Sequence, residues 1–144
     1  AEVIRYDLLK DLTAELPGLV RELAGGGVPV VYDGVGRSTF DASLASLRRR
    51  GVMVLFGASS GPVPPFDIQR LNSGGSLFLT RPTLGHHIAT KEELRGRAEE
   101  LFAAVLDGTL DVRIGNRFPL AEARAAHEAL EGRATTGKVI LEMS

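Results

Sequence analysis

The chain has 144 residues, a formal net charge of −1 and 44% hydrophobic residues, as expected for one ordinary globular domain. Its balanced charge gives no electrostatic reason for a nucleic-acid or membrane partner, and no apolar run reaches the roughly 20 residues that span a bilayer. Because cysteine is absent, disulfides, thiolate nucleophiles and zinc–thiolate sites are excluded, and we expect a cytoplasmic protein.

The first half of the chain alternates predicted strands and helices. Apolar and β-branched runs predict strands at Val3–Tyr6, Val28–Tyr32 and Gly51–Gly57, and the spacing of the leucines predicts a helix at about Leu12–Leu23. Ser38 or Thr39 is expected to cap the next helix. Arg48–Arg50 is interpreted as the solvated basic end of that helix, where cations oppose the helix dipole.

The second half continues the alternation. Further strands are predicted at Ser76–Thr80, Val112–Phe118 and Val139–Leu141, and a helix at Ala121–Glu131. Thr90 and Glu93 form a predicted capping box for a helix that ends before Gly108. Strands and helices in alternation with short turns indicate an α/β fold with a largely parallel sheet.

Glycine-bearing loops follow two neighbouring predicted strands. The segment V-V-Y-D-G-V-G-R-S-T at 30–39 begins like G-x-G-x-x-G, but Thr39 occupies the third glycine position and no acidic residue lies about 20 residues later to bind a ribose. The segment is therefore not a pyrophosphate loop. The glycines indicate either a ligand at the strand ends or turns that need positive φ. They are Gly34, Gly36, Gly57 and Gly61.

No pattern for hydrolytic or metal chemistry is visible. His86 and His87 have no carboxylate at metal-ligand spacing, and His127, three residues before Leu130 on a predicted helix, is typical of a structural residue. No Ser-His-Asp arrangement or carboxylate pair is recognisable.

Four segments of the sequence, taken together, are specific enough to indicate a protein family. They are V-V-Y-D-G-V-G-R-S-T-F-D-A-S-L, L-R-R-R-G-V-M-V-L-F-G-A-S-S-G, S-L-F-L-T-R-P-T-L and A-H-E-A-L-E-G-R-A-T-T-G-K. Together they resemble the NADPH:quinone oxidoreductases of the zeta-crystallin type, in the medium-chain dehydrogenase/reductase superfamily, from Ala1 to about Leu141. The resemblance implies metal-free hydride transfer from NADPH, with NADH possible, to a quinone or another conjugated carbonyl.

The resemblance also implies a domain organisation. Residues 1–110 match the later part of the nucleotide-binding domain, a partial Rossmann-like parallel sheet with flanking helices. Residues 111–144 match the C-terminal strands and helix that in the family join the GroES-like catalytic domain. In the family, that domain and the glycine-rich phosphate loop precede the matched part, so we expect this chain to be a fragment. The fragment alone is expected to be inactive and to bind NADPH weakly.

Cofactor-binding positions follow from the same resemblance. Tyr6 matches the tyrosine beside the 2′-phosphorylated ribose, although Asp7 replaces the usual arginine and would disfavour a phosphate. The other matched positions border the riboses, the nicotinamide or the pyrophosphate; they are Gly34, Val35, Gly36, Phe56, Gly57, Ala58, Ser59, Phe78, Leu79, Arg81 and Lys138. An edge-strand aromatic and an exposed lysine are the alternatives for Tyr6 and Lys138. His87 is a candidate substrate contact, and no catalytic residue is identified.

Assembly and activity leave alternatives open. The family strand that matches Ser76–Thr80 pairs across a dimer interface, so a homodimer through this edge strand is expected. A stand-alone dimerisation or nucleotide-binding module without catalysis is one alternative. An enoyl-thioester reductase of the same superfamily is another, and it differs only in its substrate.

Overall fold

The computed structural model describes residues 2–143, and the chain divides into two compact units between His86 and His87. Each unit contains a parallel sheet, with strand order β1-β2-β3 in the first and β4-β5 in the second. The predicted α/β class and the parallel sheet are confirmed. The boundary at residues 110 and 111, which concerns domains of the family, remains a prediction.

The elements follow one another as the sequence predicts, with some additions. The strands are β1 (Val28–Asp33), β2 (Leu47–Leu55), β3 (Phe78–Thr80), β4 (Ile114–Pro119) and β5 (Lys138–Glu142). The α-helices are α1 (Leu12–Ala24), α2 (Phe40–Ala45), α3 (Gln69–Ser73), α4 (Leu84–His87), α5 (Lys91–Leu106) and α6 (Ala123–Glu131). Short 3₁₀ helices cover Tyr6–Leu8 and Leu120–Glu122. The sequence analysis did not predict α3 or α4.

The core of the first unit lies on the central strand β2. Met53 is fully buried there, and Phe40 and Leu44 of α2 belong to the same apolar cluster. Asp33 pairs with Leu55 at the ends of β1 and β2, and Met53 pairs with Leu79 of β3. Because the strands are parallel, the carboxyl ends of β1 and β2 meet at one edge of the sheet.

The predicted strand at Val3–Tyr6 is wrong. The Tyr6 amide donates to the carbonyl of Ile4 at 2.9 Å, and the Leu8 amide donates to Arg5 at 3.0 Å, so the segment turns into a 3₁₀ helix. A strand exists only when its backbone groups pair with a neighbouring strand. Here the backbone bonds are local, and an apolar pattern cannot reveal that.

Arg48–Arg50 is not the end of a helix. Helix α2 ends at Ala45, where the Ser46 amide and hydroxyl both donate to the carbonyl of Ala42. The Val28 amide then donates to the Ser46 carbonyl at 3.0 Å, and β2 begins at the next residue. The three arginines therefore lie within a strand, because sheet pairing starts four residues earlier than the apolar run suggests.

The capping box of α5 is confirmed. The Glu93 amide donates to Thr90 Oγ1 at 3.1 Å, and the Thr90 amide donates to Glu93 Oε2 at 3.0 Å. These two bonds satisfy backbone donors that the first turn of a helix leaves unpaired. Across residues 2–143, no helix has the length and apolar character needed to cross a membrane.

We predict that Thr90→Ala lowers the free energy of unfolding by about 1 kcal/mol, because Ala cannot accept the hydrogen bond from the Glu93 amide. Urea denaturation followed by circular dichroism measures the change. Thr13→Ala, at an exposed position inside α1, is the matched control and should change stability little. Equal losses in both variants would contradict the assigned cap.

Candidate functional site

Two loops lie side by side where β1 and β2 end; we call residues 34–39 the β1 loop and residues 56–61 the β2 loop. The Ser60 amide and hydroxyl both donate to the Val35 carbonyl at 2.8 Å. The Arg37 amide donates to the Gly61 carbonyl at 3.1 Å. These hydrogen bonds hold the two loops next to each other at the edge of the sheet.

The glycines are required by this close packing and by the turns. A Cβ atom on Gly57 would collide with the Gly34 carbonyl oxygen, and one on Gly34 would lie 2.9 Å from the Phe56 ring. Gly36 and Gly61 have φ of +90° and +108°, where side chains are strained. The contacts within the protein thus account for the glycines without a ligand, and the turn alternative explains Gly36 and Gly61.

A buried carboxylate at the end of β1 organises the β1 loop. Asp33 Oδ1 accepts the amides of Val35 at 2.8 Å and Gly36 at 2.9 Å. Asp33 Oδ2 accepts the hydroxyls of Thr39 and Ser43, both at 2.7 Å. Asp33 is 4% exposed, so nearly all of its solvation comes from these four donors. The predicted cap is corrected here, because the Thr39 hydroxyl does not cap α2 but donates to Asp33.

These donors keep Asp33 ionised. Burial alone would raise the pKa of the carboxyl group, but the Gly36 amide, the Ser43 and Thr39 hydroxyls and the Val35 amide outweigh it. The net effect is a pKa below the ordinary value of an aspartate. The site therefore holds a negative charge that is compensated by hydrogen bonds.

A cavity of about 180 Å3 adjoins the β1 loop. It brings together the candidates Tyr6, Gly34 and Val35, and Tyr32 and Asp33 also line it. Tyr6 is 45% exposed, so its aromatic ring is available at the rim. This cavity is a concave feature near the carboxyl ends of the strands, where parallel sheets commonly bind ligands.

A salt bridge stands beside this cavity. Asp7 accepts two hydrogen bonds from Arg5, at 2.8 Å from Nε and 2.7 Å from Nη2. The hydrogen bond and the charge of Asp7 raise the pKa of Arg5 further. The guanidinium of Arg5, which precedes Tyr6 in the chain, is thus paired with the Asp7 carboxylate.

The remaining candidates of the first unit lie on the β2 loop and on β3. Phe56 is 56% exposed, Gly57 packs on Gly34, and Ala58 and Ser59 are exposed. In the third strand, Phe78 is 59% exposed and Leu79 is partly buried. Just beyond β3, Arg81 is exposed and donates to the Pro82 carbonyl at 3.1 Å. The structure therefore places these candidates on two strands of one sheet and at their carboxyl ends.

Two candidates belong to the second unit. Lys138 is the first residue of β5, is exposed, and donates its amide to the Arg113 carbonyl at 2.8 Å. His87 is the last residue of α4, and its carbonyl accepts Arg97 Nε at 2.8 Å. Their roles remain predictions. Among the residues described, no cluster of three His, Cys, Asp or Glu side chains is placed to hold a metal ion.

Sequence reasoning missed Asp33, Tyr32 and Ser43. The sequence did contain a signal: Asp33 directly ends an apolar strand, Thr39 follows it by six residues and Ser43 by ten. That the two hydroxyls turn inward onto one carboxylate is a property of the α2 packing and is not visible in the pattern.

Comparison with known proteins gives a consistent result. A family model described as "Zinc-binding dehydrogenase" matches residues 1–141. A quinone oxidoreductase of Salmonella typhimurium is 49% identical over 125 residues, which are 85% of this chain and 38% of that protein. The chain thus spans about two fifths of the length of such relatives.

Solved structures share the fold. The quinone oxidoreductase of Escherichia coli complexed with NADPH is 43% identical, with a TM-score of 0.88, over 97% of this chain and 42% of that one. A mycobacterial protein complexed with NADPH is 56% identical, with a TM-score of 0.85, over 92% of this chain and 41% of that one. The partial Rossmann-like sheet with flanking helices is confirmed by this agreement.

We predict that Asp33→Asn lowers the free energy of unfolding by about 1–3 kcal/mol at pH 7, since charge-assisted hydrogen bonds are lost. The lowered pKa of Asp33 means that its stabilising effect is present above about pH 4 and lost as pH falls through the folded pKa. Chemical denaturation at several pH values should therefore show the gap between wild type and variant narrowing in acid.

Asp41→Asn is the control, because Asp41 forms an exposed salt bridge with Arg70 that is worth at most about 1 kcal/mol. If the difference in unfolding free energy between wild type and Asp33→Asn stays constant down to pH 2, the carboxylate charge does not contribute to stability.

Proposed function

Because the chain belongs to the zinc-binding dehydrogenase family, in which it is similar to quinone oxidoreductases, we propose that it forms part of an NADPH-dependent quinone oxidoreductase. The observation that carries the proposal is the agreement of fold and sequence with the Escherichia coli quinone oxidoreductase complexed with NADPH. Residues 1–110 would supply the later part of the nucleotide-binding domain, and residues 111–144 a segment of the catalytic domain.

The residues present fit a dinucleotide at the β1 loop. The cavity of about 180 Å3 is lined by Tyr6 and Tyr32 and by the ionised Asp33, so it would suit an uncharged ribose ring and not a phosphate group. Asp33 holds the backbone of the β1 loop in place, since it accepts the amides of Val35 and Gly36. A pre-formed wall of this kind reduces the cost of ordering on binding.

The other candidates of the first unit would extend the same wall. Phe56 to Ser59 of the β2 loop would border the nicotinamide ribose, and the backbone of Phe78 to Arg81 would bind the nicotinamide carboxamide. Lys138 would approach the pyrophosphate, and His87 the substrate. NADPH would supply the hydride for a quinone or another conjugated carbonyl, while these residues bind and orient it.

The test is NADPH binding and hydride transfer. The 144-residue chain should bind NADPH weakly and should not reduce a quinone, because no G-x-G-x-x-G loop for the pyrophosphate is present in it. A longer protein that carries this chain behind such a loop should do both. If that protein binds neither NADPH nor NADH, the proposal fails; reduction of an enoyl thioester but not of a quinone would favour the other reductase.

Cofactor preference gives a sharper prediction. Asp7→Asn removes a negative charge beside Tyr6 and releases Arg5 from its salt bridge. If the 2′-phosphate lies there, affinity for NADPH should rise about fivefold, because a repelling charge is removed and a cation is freed, while affinity for NADH changes little. Fluorescence titration of both nucleotides measures the ratio.

Glu99→Gln, an exposed position in α5, makes the same change in net charge and serves as the control. A similar rise in NADPH affinity for both variants would mean that net charge, rather than a phosphate at Tyr6, causes it.

We also propose that the chain forms a homodimer through β3. This strand lies at one edge of the three-stranded sheet, and Phe78 is 59% exposed on it. An edge strand presents unpaired backbone groups that a second copy can pair with. The same observation favours the alternative of a dimerisation module without catalysis.

Phe78→Lys should convert the dimer into a monomer, because a charge at the paired edge opposes association. Light scattering coupled to size exclusion measures the mass. Leu84→Lys, which changes a 70% exposed leucine outside the strand, is the matched control and should leave the dimer intact. A monomeric wild-type chain, or a dimeric Phe78→Lys variant, would contradict the interface.

A further inference from the structure

The arginines of β2 bulge out of the sheet. Val28 of β1 pairs with Leu47, but Val30, only two residues later, pairs with Val52. The residues between Leu47 and Val52 are thus an insertion opposite a single β1 residue. Bulges redirect side chains and are over-represented next to functional sites.

Glycines on three sides determine the shape of this bulge. A Cβ atom on Gly27 would lie 2.5 Å from the Arg48 amide nitrogen, and one on Gly51 would lie 2.9 Å from the Arg48 carbonyl oxygen. On the side of β3, the Arg50 amide donates to the Gly75 carbonyl at 2.8 Å. The bulge is therefore a packed and hydrogen-bonded structure.

Arg50 is held in a strained conformation. Its φ of 59° lies in the left-handed region, where a residue with a side chain is strained and glycine is not. Glycine would relieve the strain, yet arginine occupies the position. Backbone strain of this kind is a reason to look for a function at the site.

The three guanidinium groups have no acceptor within residues 2–143. Arg48, Arg49 and Arg50 are exposed and make no side-chain hydrogen bond or salt bridge to any described residue. By contrast, Arg70 pairs with Asp41. Among the described residues, these three arginines line an open concavity of about 340 Å3.

We propose that this arginine bulge binds a small, multiply charged oxyanion such as inorganic pyrophosphate or the phosphate end of a phosphorylated metabolite. Guanidinium groups match the oxygens of phosphate in charge and in hydrogen-bond geometry. No aromatic or apolar side chain within residues 2–143 lines the concavity, so the described residues offer no aromatic ring on which a nucleobase could stack. The ligand is recognised by its charge.

The bulge is separate from the proposed cofactor wall. It lies at the amino-terminal end of β2, whereas the β1 and β2 loops lie at the carboxyl ends of the strands. Five residues of extended chain separate Arg50 from Leu55, which is roughly 15 Å. An anion at the bulge therefore does not compete directly for the cavity beside Tyr6.

Isothermal titration of the full chain with pyrophosphate at constant ionic strength tests the proposal. Saturable binding is expected, weakened at least about tenfold by Arg48→Gln and by Arg49→Gln, since each removes charge-assisted hydrogen bonds. Arg50→Gly should weaken binding similarly and yet raise Tm by about 3 °C, because it relieves the strain. A merely structural role would not separate affinity from stability in this way.

Arg133→Gly is the matched control. Arg133 also has a left-handed φ, of 55°, outside the bulge, so glycine should raise Tm there without changing pyrophosphate affinity.

Titration with inorganic phosphate and with a sugar phosphate distinguishes a free oxyanion from a phosphorylated metabolite as the ligand. Equal affinity assigns the site to the free oxyanion, and tighter binding of the sugar phosphate assigns it to a metabolite.

The proposal is overturned if pyrophosphate shows no saturable binding, or if affinity is unchanged in Arg48→Gln, Arg49→Gln and Arg50→Gly. Bound pyrophosphate should raise Tm. The proposal is also overturned if potassium chloride at matched ionic strength raises Tm as much as pyrophosphate does, since that would be non-specific screening.

Discussion

The carboxyl edge of the three-stranded sheet depends on the hydrogen bonds that the Asp33 carboxylate accepts. Asp33 ends β1, accepts two amides of the β1 loop, and accepts hydroxyls from Thr39 and from Ser43 of α2. A buried charge is tolerated only when hydrogen bonds replace its water. Every donor is therefore constrained by the others, and the strand, the loop and the helix are held in one geometry.

The β2 loop takes its position from this arrangement. It is bound to the β1 loop by backbone hydrogen bonds, and Gly34 and Gly57 approach so closely that side chains are excluded from both. Rigid loops at the carboxyl ends of parallel strands are where α/β sheets bind ligands. The pre-formed cavity beside Tyr6 is a consequence of protein packing, and the proposed dinucleotide would use a surface that already exists.

The opposite end of β2 shows a different use of the same strand. At the carboxyl end, the positive φ angles belong to Gly36 and Gly61, which adopt them without strain, whereas at the amino-terminal end Arg50 carries a left-handed φ. The first end combines aromatic side chains with the buried Asp33 carboxylate, and the second is a cluster of three arginines with no acceptor among residues 2–143. A dinucleotide offers rings and hydroxyls, whereas a simple oxyanion offers mainly charge. The two ends of one strand can therefore present surfaces that suit different ligands.

The sequence by itself determined the α/β class, the apolar strands, the helix that begins after Thr90 and the family, because these depend on local periodicity, capping and matched segments. It could not determine that Val3–Tyr6 lacks a strand partner, that Arg48–Arg50 belongs to a bulged strand, or that Thr39 donates to Asp33 instead of capping α2. Those features depend on which distant backbone and polar groups meet. Only the tertiary structure decides that, because a hydrogen bond between residues far apart in the chain leaves no local pattern.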